Sequence, residues 1–292
     1  MAVPVSAPDE MIIMETGDSK TVALQAEPDD DETGRELVVP EPRIAPIPDT
    51  KNNIYVLDLN LNDVGSLEDL ALGERIFAAR FLGNRAYLVT FRQVDPLFVI
   101  DLSNPGDPHV LGQLKIPGFS DYLHPYDESH IIGIGKDVAV EGRAVPRGVK
   151  LSLFDVSDVK NPVEKAQHII SGEGTQSEAL QDHKAFLFSK EKNLLVIPIL
   201  LTKNWEYTYQ GAYVFDLTPK EGFQLKGRIT HADGNDKNPY WYFSPSSIRR
   251  TLYIGGTLYT ISSGMVKATD LDSMGEVASL DLPVQEEQNI PF

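Results

Sequence analysis

The sequence predicts an all-β protein assembled from repeated four-stranded antiparallel sheets, and three observations support this prediction. Apolar runs rich in β-branched and aromatic residues recur along residues 51–283, with turn residues between them. Helical periodicity is almost absent, since only residues 173–185 fit a short helical turn. A five-residue pattern built around an aspartate returns five times, which is typical of repeat architectures.

Composition narrows the class of protein. The chain has 292 residues, 41% of them apolar, a net charge of −17 and no cysteine. Because 43 acidic residues face 26 basic ones, a nucleic acid partner is not predicted. The lack of cysteine excludes disulfides, thiol nucleophiles and Cys-ligated metals. No apolar run reaches the roughly 18 residues of a membrane helix, so no transmembrane segment is predicted.

The first 50 residues differ from the rest of the chain. They hold 12 acidic residues, 3 basic residues and 7 of the 20 prolines, which predicts an acidic, Pro-rich segment and linker. Residues 11–14 and 21–24 flank a turn-like stretch and are a candidate hairpin. The start lacks the features of a secretory signal, so no export signal is predicted. We therefore divide the chain into this segment (1–50), a β domain (51–283) and a C-terminal tail (284–292).

The repeated pattern places apolar residues on both sides of an aspartate. Its five members are Asp58, Asp101, Asp155, Asp216 and Asp270. They are 43, 54, 61 and 54 residues apart, as expected of propeller blades with unequal loops. An aspartate at a strand end can accept backbone N–H groups of the next turn, which predicts that all five cap turns. The alternative is a set of acidic ligands or catalytic acids.

Each complete unit reads as four strands, with the aspartate near the end of the third. The predicted first strands are 75–82, 121–126, 183–188 and 240–244. In the last unit, the two runs 251–254 and 257–261 are together predicted to form the second strand. Inner strands are continuously apolar whereas outer strands alternate with polar residues, which predicts radial sheets. The sequence thus predicts a β-propeller of four complete four-stranded antiparallel blades and one partial blade around Asp58. Both a five-bladed ring and a truncated larger propeller fit this count.

Three long stretches carry a resemblance to a known family: 74–103, 116–126 and 182–188. They resemble the archaeal and bacterial secreted-type β-propeller domain family, which is distantly WD-repeat-like. The resemblance covers about residues 50–283 and corresponds to a C-terminal portion of such proteins. It implies a propeller outside the cell or at its surface, without an established activity. Since no signal peptide is predicted, a cytoplasmic location is the alternative.

One polar cluster is the candidate ligand site. Its residues enter the first strands of two units, which predicts a position at one mouth of a propeller's central channel. They are Asp121, His124, Glu178, Asp182 and His183. No cofactor is predicted, although histidine with carboxylates also suits a divalent metal. The alternative is a set of hydrogen-bonded structural residues.

Catalytic signatures are missing from the sequence. It has no nucleophile elbow, phosphate loop, His-Glu-x-x-His or dinucleotide motif. We therefore expect a noncatalytic scaffold that binds a protein or a glycan, and a metal-dependent hydrolase or lyase is the alternative. A third hypothesis is self-association, or pairing with missing blades. A further set, Arg80, Arg92, Asp95 and Lys184, predicts ion pairs between blades or recognition of a ligand carboxylate.

Overall fold

In a computed structural model, the chain is an all-β protein with almost no helix. The structure describes residues 10–16, 50–91, 95–141, 143–203, 206–232 and 244–283. By its internal contacts the chain divides into two compact units. Unit 1 is Met1–Ile76 with Ser103–His109, and unit 2 is Phe77–Leu102 with Val110–Phe292.

Unit 1 contains a three-stranded antiparallel sheet, which we call sheet I. Its strands are β1 (Glu10–Thr16), β2 (Asn52–Asp58) and β3 (Asp63–Leu70), hydrogen-bonded in that order. Residues 11–14 of the candidate hairpin thus pair with β2, whereas residues 21–24 lie outside the described residues. Sheet I is the predicted partial blade, and β2 ends at Asp58.

Four four-stranded sheets follow, and in each one every strand pairs with its neighbour in sequence. Sheet II consists of β4 (Arg75–Leu82), β5 (Arg85–Phe91), β6 (Asp95–Asp101) and β7 (His109–Ile116). Sheet III consists of β8 (Phe119–Asp127), β9 (His130–Glu141), β10 (Arg143–Asp155) and β11 (Val163–Ser171). Sheet IV consists of β12 (Leu187–Ser189), β13 (Leu194–Lys203), β14 (Glu206–Thr218) and β15 (Gly222–Ile229). Sheet V consists of β16 (Arg250–Ile254), β17 (Thr257–Ile261), β18 (Met265–Asp270) and β19 (Glu276–Asp281).

The predicted all-β class and the four-stranded antiparallel blades are confirmed, and two first strands differ from the prediction. In sheet IV, the 3₁₀ turn His183–Ala185 replaces the first half of the predicted strand 183–188, and β12 begins only at Leu187. In sheet V, β16 is itself the first strand, because the Gly255-Gly256 turn joins it to β17 as a hairpin. The predicted first strand at 240–244 falls on residues 240–243, outside the described residues, and on Ser244, which is not in a strand.

Apolar side chains fill the space between consecutive sheets of unit 2. One cluster joins sheets II and III and includes Tyr87, Val99 and Phe154. The largest joins sheets III and IV, and a third joins sheets IV and V. Because the inner strands contact a sheet on each side, β13 is buried along almost its whole length. In contrast, the outermost strand β19 is exposed throughout.

Candidate functional site

The repeated aspartates lie at matching strand ends. Asp101, Asp155 and Asp270 are the last residues of the third strands of sheets II, III and V, and Asp216 lies two residues before the end of β14 in sheet IV. Asp58 ends β2 in sheet I. All five therefore stand at the corner that leads into the next strand.

The carboxylates at three corners accept hydrogen bonds from the turn that follows. Asp155 Oδ1 accepts from Ser157 N at 3.0 Å and from Ser157 Oγ at 2.6 Å. Asp270 Oδ1 accepts the equivalent pair from Ser273, at 2.8 and 2.7 Å. Asp58 Oδ1 accepts from the backbone N–H groups of residues 60 and 62. At the sheet IV corner, Asp216 lies 3.7 Å from Lys226 Nζ, and Thr218 Oγ1 accepts from Glu221 N instead.

These bonds favour the ionised carboxylates. The Ser157 hydroxyl and backbone N–H lower the pKa of Asp155 to about 2. Hydrogen bonds from Ser273 likewise lower the pKa of Asp270, and those from Asn62 lower the pKa of Asp58. A carboxylate held ionised by its own turn has few free lone pairs for a ligand and no proton to give at neutral pH.

The candidate cluster is divided between β8 of sheet III and the entry to sheet IV. Asp121 and His124 lie on β8, where Tyr122 shares a face with His124 and Asp121 falls at a register irregularity in the pairing with β9. The Tyr122 hydroxyl and His124 Nδ1 are 2.9 Å apart. The ring of His183 stacks on Tyr122 at a centroid distance of 6.2 Å. Tyr122 therefore links the two predicted histidines.

Tyr122 was missed by the sequence reasoning, although the alternation of β8 could have identified it. The phenol and both imidazoles lie against apolar rings. Phe186 contacts Tyr122 at 5.4 Å and His124 at 5.1 Å between ring centroids. Burial, with a smaller effect of the positive charge of Arg80, lowers the pKa of His124 to about 4, so this imidazole is neutral at physiological pH.

Asp182 performs a structural task at this place. Its Oδ1 caps the 3₁₀ turn by accepting from Lys184 N at 2.9 Å, and its Oδ2 pairs with the guanidinium of Arg250 on β16. The Lys184 N–H and then Arg250 lower the pKa of Asp182. The ion pair ties the entry of sheet IV to the first strand of sheet V.

Asp121 and Glu178 do not join the two histidines. Burial raises the pKa of Asp121 to about 6, and the positive charge of Lys136 opposes this rise. Lys136 Nζ itself donates to Thr175 O and Gln176 Oε1. Glu178 borders a crevice beside β13 with room for about one water molecule. Within the described ranges, no three His, Asp or Glu side chains are grouped to hold a metal.

Two other histidines make polar contacts that the sequence reasoning did not single out. His231 is buried, with Nδ1 2.9 Å from Ser262 Oγ and Nε2 2.8 Å from Thr260 Oγ1. Burial lowers the pKa of His231 to about 4. Ser262 and Thr260 are also buried, so these contacts join His231 to β17 and to the residue that follows this strand.

His130 opens β9 and lies between two carboxylates. Its Nδ1 is 2.9 Å from Asp127 Oδ1 and its Nε2 is 3.7 Å from Asp155 Oδ2. Lys165 also pairs with Asp155, at 3.1 Å. The only sequence signal for this group was the Asp-Glu-Ser-His turn, which joins the first two strands of sheet III.

The second predicted set is only partly described. Arg92 and the side chain of Asp95 lie outside the described residues. Arg80 is half-buried on β4, and its Nε is buried without a hydrogen-bond partner among the described residues. No helix within the described ranges has the length and apolarity to cross a membrane.

Comparison with known proteins shows the family to which the chain belongs. A family model described as "Beta propeller domain" matches residues 31–274. An uncharacterised protein of Archaeoglobus fulgidus is 38% identical over 232 residues, which cover 80% of this chain and 32% of that protein. An uncharacterised protein of Methanocaldococcus jannaschii is 40% identical over 211 residues, which cover 72% of this chain and 29% of that protein. The chain therefore spans about a third of the length of these relatives.

Two solved structures align with the chain at low sequence identity. BamB from Moraxella catarrhalis aligns with a TM-score of 0.43 and 10% identity, over 79% of this chain and 59% of that one. Sqt1 from Chaetomium thermophilum aligns with a TM-score of 0.48 and 14% identity, over 81% of this chain and 56% of that one.

Proposed function

Because the chain belongs to the beta-propeller domain family, we propose that it is a noncatalytic module that binds a protein partner outside the cell or at its surface. The exposed apolar face of sheet V carries this proposal. The location rests on the resemblance to secreted-type propellers.

Strand register gathers apolar side chains on this face of sheet V. One row runs across all four strands. In it, Leu252 pairs with Tyr259, Tyr259 with Ala268, and Ala268 with Ala278. A second row contains Ile261, Val266 and Leu280. Ile254 is 67% exposed and Leu280 is 63% exposed, so the face is open to solvent. Apolar groups gathered on one open face are typical of an interaction surface.

The repeat indicates what kind of partner fits the face. Counted from the third-strand aspartates, Tyr259 and Ala268 of sheet V correspond to Val196 and Val214 of sheet IV. In sheet IV these two valines are fully buried, and sheet V packs against them through Leu258. Among the described residues of unit 2, no further sheet covers the equivalent positions of sheet V. A protein that presents an apolar β-sheet face would cover sheet V as sheet V covers sheet IV.

Other occupants fit the face less well. Two copies of the chain, each with a net charge of −17, repel one another, which disfavours self-association. A glycan needs aromatic platforms with hydrogen-bonding groups around them, and in the two rows described above Tyr259 is the one aromatic ring.

A photo-crosslinking amino acid at position 254 or 280 tests the proposal in extracts of the source organism. The control position is 59, since Leu59 is 72% exposed and lies in unit 1. We expect one protein to crosslink from 254 and 280 but not from 59. Its purified form should bind the wild-type chain and the Leu59→Lys variant equally, and bind the Ile254→Lys/Leu280→Lys variant at least tenfold more weakly.

Three outcomes would overturn this function. One is the absence of a protein crosslinked from 254 and 280, and another is equal binding by the wild-type chain and the double variant. The third is a concentration-dependent dimer in sedimentation experiments that the double substitution abolishes, since the face would then serve self-association.

A further inference from the structure

We propose that sheet I binds an extended strand of a partner polypeptide along the open edge of β1. Sheet I is hydrogen-bonded in the order β1, β2, β3, so β1 is an edge strand among the described residues of unit 1. The partner strand takes the place of a first strand, which sheets II to V each have. The site belongs to unit 1 and does not depend on the binding function proposed for the face of sheet V.

The register of sheet I shows which place is open. In sheets II to V, each third-strand aspartate lies opposite the first residue of the second strand: Asp101 opposite Arg85, Asp155 opposite His130, Asp216 opposite Leu194 and Asp270 opposite Thr257. In sheet I, Asp58 lies opposite Glu10 in the same way. β1 therefore holds the second place, β2 the third and β3 the fourth, and no described residue of unit 1 holds the first.

The backbone of Leu59 lacks the bond that a first strand and its turn provide in the other sheets. In each of those four sheets, the residue after the aspartate donates its N–H to the carbonyl of the residue just before the second strand. The donors are Leu102, Val156, Leu217 and Leu271. Leu59 is the equivalent residue, and its N–H has no acceptor within the described ranges. A partner strand that turns away beside Glu10 supplies this carbonyl oxygen.

The side chain of Leu59 is also open to solvent. Its counterparts Val156 and Leu217 are fully buried, in the apolar clusters between sheets, whereas Leu59 is 72% exposed and Leu61 is 63% exposed. Asp58 holds both leucines in an ordered turn, because its carboxylate accepts two backbone N–H groups and its carbonyl accepts the N–H of Leu61. A turn that is already ordered loses little conformational entropy when a partner covers its apolar side chains.

Charge indicates the chemistry of the partner strand. β1 contains two glutamates and no basic residue, and residues 1–50 hold 12 acidic and 3 basic residues. A strand with basic residues is attracted to this edge, whereas a second copy of the acidic chain is repelled. In strand addition, main-chain hydrogen bonds give affinity and alternate side chains give specificity. The partner strand therefore combines basic residues with apolar ones, of which one covers Leu59.

A peptide with the sequence of residues 75–84 is the probe. It contains the first strand of sheet II, the Gly83-Asn84 turn and two arginines. Fluorescence anisotropy with the labelled peptide and the full chain should show saturable binding. The control peptide carries Ala78→Pro and Ala79→Pro, which removes one backbone donor from each side of the strand and should weaken binding at least tenfold.

Variants of the chain assign the binding to the turn after β2. Leu59→Asp should weaken binding of the probe at least tenfold. The matched control Leu72→Asp should leave it unchanged, since Leu72 is 57% exposed and lies in unit 1 beyond the other end of β3. In NMR of the wild-type chain, saturation with the probe should slow exchange of the Leu59 amide, because its N–H becomes bonded.

Several results would overturn the proposal. They are a wild-type chain that does not bind the probe, equal binding of the two peptides, equal binding by the two leucine variants, and unchanged exchange of the Leu59 amide at saturation. Binding only after deletion of residues 1–9 would show that this segment, and not a partner, occupies the edge. A dimer in sedimentation experiments that Leu59→Asp dissociates would assign the edge to a second copy.

Discussion

Asp155 shows how one side chain closes a corner between strands. Its two oxygens serve different partners, since Oδ1 accepts from Ser157 and Oδ2 pairs with Lys165 of β11. The carboxylate thus fixes both the turn and the strand that follows it. Asp58 and Asp270 accept comparable hydrogen bonds from the turns that follow them, whereas Asp216 lies 3.7 Å from Lys226 Nζ.

Removal of this carboxylate should destabilise the fold in a pH-dependent way. We expect Asp155→Ala to lower the free energy of unfolding by about 1 to 3 kcal/mol at pH 7, the range for hydrogen bonds to a charged group. The folded pKa of about 2 lies below the ordinary aspartate pKa of 3.8, so the contribution is complete above about pH 4 and is lost as pH falls toward 2. Urea unfolding at pH 7 and pH 2.5 measures this loss.

The control for this substitution is Glu191→Ala, at an exposed turn position before β13, which should change the unfolding free energy by less than about 0.5 kcal/mol. Equal effects of the two substitutions, or an Asp155→Ala effect that is independent of pH, would show that Asp155 does not stabilise its corner.

Buried histidines predict a second pH dependence, in a different range. The folded pKa values of His124 and His231 are about 4, below the ordinary histidine pKa of 6.5, so the unfolded chain binds more protons between these values. The unfolding free energy should therefore fall as pH decreases from about 6.5 toward 4. Asp121 acts in the opposite sense, because its folded pKa of about 6 exceeds the ordinary aspartate pKa.

Unfolding of three chains at pH 6.5, 5.5 and 4.5 checks this balance. We expect His231→Asn to flatten the pH dependence of the wild-type chain and Asp121→Asn to steepen it. A wild-type stability that increases toward pH 4.5, or a His231→Asn slope equal to that of the wild type, would contradict the assignment.

At the scale of the strand and the hairpin, alternation and turn chemistry made most elements predictable. The first strands of sheets II and III, predicted at 75–82 and 121–126, were predicted closely, because their apolar runs end at turn residues such as Gly83-Asn84. The entry to sheet IV was not, since 183–188 is apolar enough for a strand while Asp182 caps a 3₁₀ turn there. In sheet V, tertiary pairing assigned β16 to the place that the aromatic run 240–244 was predicted to take.

The candidate site was less predictable than the fold. Sequence reasoning brought His124 and His183 to one place, but it also included Asp121, which lies at a register irregularity of β8, and Asp182, which pairs with Arg250. Arg250 is 68 residues from Asp182, and no local pattern reports a contact over such a separation. Contacts between sheets decide which polar residues are free, and they depend on packing rather than on spacing.

Close packing of adjacent strands gives a prediction for one glycine. A Cβ on Gly135 of β9 would clash with Phe119 O and lie 2.6 Å from Ser120 Cα, both on the backbone of β8. We expect Gly135→Ala to lower the unfolding free energy by about 1 to 3 kcal/mol, because the strands must separate.

The matched control is Gly256→Ala, since a Cβ there meets nothing within 4 Å. Thermal and urea unfolding should show a change of less than about 0.5 kcal/mol for this variant. Similar losses for both glycine variants would contradict the described pairing of β8 with β9.

At the scale of the whole molecule, sheets II to V share one backbone hydrogen bond at equivalent corners. In each, the residue after the third-strand aspartate donates its backbone N–H to a carbonyl in the turn between the first two strands. The pairs are Leu102 N to Asn84 O at 2.9 Å, Val156 N to Ser129 O at 2.8 Å, Leu217 N to Asn193 O at 2.6 Å and Leu271 N to Gly256 O at 2.8 Å. Repetition of this bond makes the four corners equivalent, although their sequences and loops differ.

Amide hydrogen exchange, resolved by residue with NMR, tests this equivalence most directly. The account predicts strong protection of the amides of Leu102, Val156, Leu217 and Leu271, because each is bonded within a packed sheet corner. Exchange at the rate of an unstructured peptide for any of these four amides, while the strand before it stays protected, would contradict the repeated plan.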